Sequence, residues 1–84
     1  MRLIVSRDAG EGLGHMPTRD RRRLVAKLEA FAADPFVRHS WATRLQGEDR
    51  VRIRQGDWRG VLLIVREHDA VVLERVGHRR EVYR

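Results

Sequence analysis

The clearest strand pattern of the sequence lies in VRIRQGDWRGVLLIVREHDAVVLERV, residues 51–76. In its first four residues the apolar Val51 and Ile53 alternate with arginines, which is the period of a strand with one buried face. The turn Gln55-Gly56-Asp57 and a nearly unbroken apolar run then predict a hairpin into a central strand covered on both faces. After a second turn at His68-Asp69, AVVLERV predicts the last strand of a three-stranded antiparallel meander.

The N-terminal half adds one strand and two helices to this meander. RLIVSR, at residues 2–7, is rich in β-branched residues and predicts a short strand. Residues 8–16 carry apolar residues at helical spacing, but Gly10, Gly12 and Gly14 each cost about 1 kcal/mol relative to alanine in a helix. We therefore expect only a short, weak helix there.

Residues 18–33 predict an amphipathic helix with clear limits. Thr18 is the expected N-cap, and Asp34-Pro35 ends the helix because the residue before a proline avoids the α region. The apolar face comprises Leu24, Val25, Leu28, Phe31 and Ala32. Beyond the helix, Phe36, Val37 and Trp41 are expected to tuck under the core.

Together these elements predict an α+β fold in which helices cover one face of a mainly antiparallel four-stranded sheet. The 84 residues have room for one domain, residues 1–84, with one modest core. No apolar run approaches the ~20 residues of a membrane span, and the N-terminus lacks the pattern of a signal peptide. Because the chain has no cysteines, disulfides and thiolate metal sites are excluded, and a reducing cytoplasm is the expected location.

Charge is the most informative compositional feature. The chain has 17 arginines and one lysine against 12 acidic residues, for a net charge of +6. A guanidinium grips phosphate with two hydrogen bonds and stacks on bases, so a domain this basic is expected to bind a nucleic acid or an acidic protein. Four arginines lie on the outer face of the long helix, where a solvated helix face is the simpler interpretation for most of them: Arg19, Arg21, Arg22 and Arg23.

The strand order brings cations to one end of the sheet. Arg52 and Arg54 share a face of their strand, and Arg59 begins the next strand across a tight turn. The last strand runs back antiparallel, so its exit at residues 76–79 returns toward Arg59. Like charges repel one another, so we expect this cluster to bind an anion, although the arginine alternation taken alone is also typical of an amphipathic edge strand.

The C-terminal residues supply candidates for proton transfer. Histidine is the side chain that titrates nearest neutrality, so His78 is a candidate base. Tyr83 is a candidate general acid or a stacking platform for a base, and a packing role is the alternative for it. No P-loop, dinucleotide-binding or nucleophile-elbow motif is present, and no pair of histidines has metal-ligand spacing.

Four segments carry a resemblance to a known family. They are AADP at the end of the long helix, RLQG before the hairpin, VRIRQGDWRGVLLIV and ERVGHRREVY. In their order and spacing the chain resembles the RelE/ParE superfamily of toxins from toxin–antitoxin modules. The resemblance implies a small, mostly antiparallel four-stranded sheet with a helical hairpin on one face. It leaves two activities open, because RelE-like members cut mRNA in the ribosomal A site whereas ParE-like members inhibit DNA gyrase and lack the nuclease residues.

The residues favour the RelE-like branch of this superfamily. Its functional positions are filled here by compatible residues, namely Arg50, Arg52, Arg54, Arg59, Arg79 and Tyr83. The resemblance therefore implies a ribosome-dependent mRNA endoribonuclease that inhibits translation and needs neither a metal nor another cofactor. An inactive protein of the same fold that only binds its antitoxin is a further alternative.

The implied mechanism divides the work among these residues. The arginines of the cluster hold the scissile phosphate, Arg79 stabilises charge in the transition state, and Tyr83 protonates the 5′-oxygen. The family often has lysine where this chain has arginine on the second strand. Because arginine cannot plausibly give up its proton, His78 is predicted to accept the proton of the 2′-hydroxyl, with Glu48, Asp57 and Glu81 as weaker candidates. The alternative is catalysis by positioning and charge stabilisation of the mRNA that the ribosome orders.

Partners follow from the same resemblance. Contacts with RNA and the ribosome are expected from Arg50, Arg19, Arg22, Arg23 and Arg80. The implied protein partner is a cognate antitoxin whose acidic or amphipathic segment covers the basic surface. Operator DNA is expected to be reached only through that antitoxin, and no membrane is involved.

Overall fold

Five strands and three helices follow one another in the computed structural model, which describes residues 1–45 and 47–82. The strands are β1 (Arg2–Val5), β2 (Ala42–Arg44), β3 (Arg50–Gln55), β4 (Trp58–Val65) and β5 (Ala70–His78). The helices are α1 (Arg7–Gly14), α2 (Thr18–Ala33) and the single turn α3 (Arg79–Val82), and a 3₁₀ turn at Arg66–His68 joins β4 to β5. The predicted α+β class is confirmed.

The sheet is mixed, with the strand order β1-β5-β4-β3-β2. β3, β4 and β5 form the predicted antiparallel meander, whereas β1 pairs parallel with β5. β3 turns into β4 through two residues, and Gly56 in this turn has a φ of 56°, which glycine adopts without steric cost. The prediction of four strands missed β2, which has only three residues and therefore no alternating pattern that would indicate a strand.

α2 has the predicted limits, but its cap differs from the prediction. The N-cap residue is Pro17, Thr18 lies inside the helix, and no side chain caps this end. Proline presets a φ compatible with a helix start, so the chain enters the helix one residue earlier than the threonine suggested. Leu24 and Leu28 are fully buried as predicted.

α1 forms in spite of its three glycines because its start is capped and its contact with the sheet is close. The Oγ of Ser6 accepts a hydrogen bond from the amide of Ala9 at 3.1 Å, which satisfies one orphan donor of the helix. Gly12 lies where α1 packs on β5, and a Cβ there would collide with the carbonyl oxygen of Val76. The glycine that weakens the isolated helix thus allows it to approach the sheet.

The core lies between the two longer helices and one face of the sheet. Its buried side chains from the strands are Val51, Ile53, Leu62, Ile64, Val71, Leu73 and Val76. On the other face of β4, Val61, Leu63 and Val65 are only half-buried. The prediction of a central strand covered on both faces is therefore wrong, because the longer helices cover one face only.

The segment after α2 also departs from the prediction. Phe36 and Val37 are 59% and 57% exposed, so the expectation that they tuck under the core is wrong. The ring of Phe36 instead lies against the guanidinium of Arg66, at 4.9 Å from the ring centroid. Trp41 packs against the core, as predicted.

Candidate anion-binding site

Three arginines come together on the sheet face that the longer helices leave open. Arg52 and Arg54 are two residues apart on β3, so their side chains lie on the same face, and Arg59 of β4 pairs directly with Arg54. A depression of about 180 Å³, hereafter the arginine pocket, is lined by Ser40, Trp41, Thr43, Arg52, Arg54 and Arg59. Thr43 contributes because β2 pairs it with Arg52.

Arg59 is held in place by its own hairpin. Its Nη1 donates hydrogen bonds to the carbonyl oxygens of Gly56 at 2.6 Å and Trp58 at 2.9 Å. Both bonds use the same terminal nitrogen, and the described residues make no hydrogen bond to Nη2 or Nε, whose N–H groups can donate to a ligand. The turn that closes the hairpin therefore also orients a donor of the pocket.

Two polar side chains of α2 hold the end of β3 that carries the pocket. Lys27 Nζ donates to the carbonyl oxygen of Arg54 at 2.8 Å, and Gln55 Nε2 donates to Asp20 Oδ1 at 3.2 Å. Partial burial, and then the charges of Arg54 and Arg23, lower the pKa of Lys27 below its ordinary value. Sequence reasoning missed both contacts, and the only signal for the first was a single lysine on a helix otherwise rich in arginine.

Arg50 lies on the same face as the pocket but is bound elsewhere. Its Nε donates to Glu74 Oε1 at 2.9 Å, and its Nη1 is 3.6 Å from Glu48 Oε1. The hydrogen bond and charge of Glu74, and then the charge of Glu48, raise the pKa of Arg50 above its ordinary value. An RNA contact through Arg50, as predicted, has to compete with these carboxylates.

The exit of β5 returns to the start of β4, as predicted, since Trp58 pairs with His78. His78 nevertheless lies on the helix-bearing face, where its ring meets that of Trp58 edge-to-face at 5.8 Å. A bulge opposite Val61 and Leu62 shifts the register of β5 by one residue and reverses the face of the residues after it. The structure therefore does not bring His78 to the arginine pocket.

Arg79 lies at the same end of the sheet, attached to the hairpin turn. Its amide donates to the carbonyl oxygen of Asp57 at 2.7 Å, and its Nε is 3.7 Å from Asp57 Oδ1. Both side chains are exposed. Arg79 is thus beside the pocket without being among the residues that line it.

The predicted RNA contacts on the helices do not line the pocket. Arg19, Arg22 and Arg23 of α2 and Arg80 of α3 are all exposed. Tyr83, the predicted acid, lies outside the described residues. In the described part of the chain, no three metal-ligating side chains form a group that could hold a metal ion, and no helix is both long and apolar enough to cross a membrane.

The composition of the pocket suits an anion with several oxygens. None of its six described lining residues is acidic, so nothing among them offsets the three guanidinium charges. Guanidinium groups bind carboxylate and phosphate oxygens through short, charge-assisted hydrogen bonds. With no histidine or carboxylate among these residues, the pocket supplies positive charge and donors rather than a base.

By sequence, no protein-family model and no curated protein matches this chain. By structure, it is similar to a chain of the RelBE2 toxin–antitoxin complex from Mycobacterium tuberculosis, with 24% identity, a TM-score of 0.73, and coverage of 92% of this chain and 95% of that one. The isolated RelE toxin from Escherichia coli has 23% identity, a TM-score of 0.77, and coverage of 98% and 89%. The chain has the fold of the RelE toxins.

The RelE fold extends to complexes from archaea. A chain of the RelB–RelE antitoxin–toxin complex from Methanococcus jannaschii has 21% identity, a TM-score of 0.77, and coverage of 95% of this chain and 94% of that one. The similarity therefore spans nearly the whole RelE fold, and the predicted resemblance to RelE-like toxins is confirmed at that level.

Proposed function

We propose that the chain is the toxin of a toxin–antitoxin module and a ribosome-dependent endoribonuclease that cuts mRNA and so inhibits translation. The observation that carries the proposal is the convergence of Arg52, Arg54 and Arg59 on one pocket of a RelE fold. A phosphodiester suits these guanidinium groups because its two non-bridging oxygens share a negative charge and accept hydrogen bonds. Structures with the same fold include toxin–antitoxin complexes, which supports a protein antitoxin as partner.

In the proposed reaction, the 2′-oxygen of a nucleotide attacks the adjacent phosphorus and the bond from phosphorus to the 5′-oxygen breaks. The products are a 2′,3′-cyclic phosphate, open to hydrolysis to the 3′-phosphate, and a 5′-hydroxyl, and no metal takes part. The pocket binds the non-bridging oxygens, whose negative charge grows in the transition state.

Proton transfer is the step to which the pocket contributes least. Arginine cannot act as the base, and His78 lies on the other face of the sheet. The weaker candidates Glu48, Asp57 and Glu81 are not among the described residues that line the pocket. In this proposal the proton of the 2′-hydroxyl passes to water, and the rate depends on positioning the mRNA and stabilising charge. Tyr83 remains the proposed proton donor to the 5′-oxygen. Arg79 joins the site by exchanging the exposed carboxylate of Asp57 for the phosphate.

Surfaces outside the pocket complete the proposal. The exposed arginines of α2 and α3 contact ribosomal RNA. When the antitoxin inhibits the toxin, its acidic segment covers these same arginines. Operator DNA is reached through the antitoxin.

The test is primer extension on an mRNA carried by translating ribosomes, with the purified protein and matched variants. Arg52→Ala and Arg54→Ala should each lower the cleavage rate by about 100-fold or more, since they remove charge-stabilising donors. Arg7→Ala is the control for loss of a positive charge, because the Arg7 side chain is 96% exposed and Arg7 is not among the residues that line the pocket. His78→Gln should keep near wild-type activity.

Two results would contradict the proposal. Intact mRNA in cells whose growth the wild-type protein arrests would favour inhibition of DNA gyrase. Cleavage that survives Arg52→Ala and Arg54→Ala but is lost in His78→Gln would show that the arginine pocket is not the catalytic site.

A further inference from the structure

The loop after α2 exposes two neighbouring apolar side chains that the proposed function does not use. Phe36 and Val37 are the most exposed large hydrophobic residues in the described part of the chain, at 59% and 57%. They border a groove of about 280 Å³, hereafter the Phe36 groove, lined by Phe31, Pro35, Phe36, Val37, Arg38, His39, Ala42, Arg44 and Val51. An apolar surface left open in this way is typical of a binding site.

The ring of Phe36 is held outward by cations. The Cζ atoms of Arg66 and Arg44 lie 4.9 Å and 5.9 Å from the ring centroid, within the range of cation–π attraction. Both arginines also donate to Asp49 Oδ1, at 3.2 Å and 2.9 Å. This bridge holds the two guanidinium groups beside the ring of Phe36.

The Phe36 groove is separate from the arginine pocket. Successive residues of β2 face opposite sides of the sheet, so Ala42 and Arg44 line the groove whereas Thr43 lines the pocket. No residue lines both cavities among those described. A ligand in the groove therefore leaves the pocket accessible.

Charge and polarity together define the occupant. Six of the nine lining residues are apolar, and two of the other three are arginines. Arg66 adds a third positive charge at the ring of Phe36, while Asp49 offsets one. The aliphatic and aromatic floor offers few polar groups to recognise a nucleotide base, but it accepts an apolar side chain.

We propose that the Phe36 groove docks an acidic peptide segment, which inserts one apolar side chain beside Phe36 and places carboxylates against Arg38, Arg44 and Arg66. Apolar burial supplies the anchor and the charges steer and align the segment. This inference does not depend on nuclease activity.

The test is fluorescence anisotropy of a fluorescein-labelled peptide in which two leucines are flanked by glutamates, with the full-length protein. Phe36→Ser should weaken binding by about 10-fold or more, as expected for a central anchor. Ile4→Ser is the matched control, because Ile4 is an exposed apolar residue on β1 at the opposite edge of the sheet. Peptides with lysine in place of glutamate, or serine in place of leucine, should not bind.

Three results would overturn the proposal. The first is that the wild-type protein does not bind the peptide at about 1 mM, or that Phe36→Ser binds the peptide as tightly as the wild-type protein does. The second is loss of peptide binding in the Arg52→Ala, Arg54→Ala double variant, which would place the peptide in the arginine pocket. The third is that Phe36→Ser loses binding of a labelled oligouridylate but still binds the peptide. That result would make the groove a nucleic-acid surface. Failure of the nuclease assay alone would leave this inference standing, since the peptide is measured without mRNA.

Discussion

Replacement of Gly12 by alanine is predicted to destabilise the protein, although alanine is the better helix former. In an isolated helix the change would gain about 1 kcal/mol. In the folded chain, the new Cβ would meet the carbonyl oxygen of Val76 and lie 3.0 Å from both its carbonyl carbon and its Cβ. These are mainly backbone atoms, so a side-chain rotation cannot relieve the collision, and α1 has to move away from β5.

The size of the effect is the difference between these two contributions. Overpacking costs about 1–3 kcal/mol, and contact with rigid backbone belongs at the upper end of that range. After the gain in helix propensity, Gly12→Ala should lower the free energy of unfolding by about 1–2 kcal/mol. For a domain of this size, that lowers Tm by roughly 5–15 °C.

Urea unfolding followed by tryptophan fluorescence measures the change, with Gly10→Ala as the matched control. The nearest atom to a Cβ at Gly10 is Val5 Cγ1 at 3.9 Å, an ordinary contact. Gly10→Ala should therefore raise the free energy of unfolding by about 0.5–1 kcal/mol. A Gly12→Ala protein as stable as the wild type, with an unchanged m-value, would refute the claim that Gly12 is required for close packing.

Three further predictions concern stability. Leu28→Ala should lower the free energy of unfolding by about 2–5 kcal/mol, because Leu28 is 1% exposed and its truncation leaves a cavity; a loss below 1 kcal/mol in urea unfolding would argue against that packing. Asp20→Ala should cost about 1–3 kcal/mol because it leaves the buried amide of Gln55 without its acceptor, and a double-mutant cycle with Gln55→Met should show that the cost depends on Gln55. The pKa of Asp49 is lowered in the folded protein, mainly by the hydrogen bond from Arg66. The stabilisation from Asp49 is therefore complete above the unfolded pKa of about 3.9. It is lost as the pH falls through the lower pKa of the folded state. Unfolding free energies of the wild type and Asp49→Asn should converge between pH 7 and pH 2, and a constant difference would count against the interaction.

Much of the fold follows from local periodicity. The limits of α2 are apparent because its apolar spacing stops at Asp34-Pro35, where proline excludes further helix. β3 is apparent because Val51 and Ile53 alternate with arginines, and both are buried as that pattern requires. β2 has no such signal, because three residues are too few to show a period and only pairing with β3 makes them a strand.

The candidate site divides in the same way. Arg52, Arg54 and Arg59 could be placed together from the sequence, because they lie on the two strands of one predicted hairpin. Its exact register could not, because the turn has two residues where Gln55-Gly56-Asp57 predicted three. The contacts from Lys27 and Asp20 of α2 to the end of β3 could not be predicted from the sequence, because they join residues that are 27 and 35 positions apart.

Side chains a few residues apart were enough to predict α2, the three strands of the meander and the row of arginines on one sheet face. The neighbours of His78 and Phe36, in contrast, depend on contacts between distant segments. Alternation continued from Leu73, which is buried, would put His78 on the arginine face, but the bulge against β4 adds one residue and turns it to the other face. Phe36 has the hydrophobicity of a core residue, yet it lies outside because Arg44 and Arg66, bridged by Asp49, meet its ring at the surface.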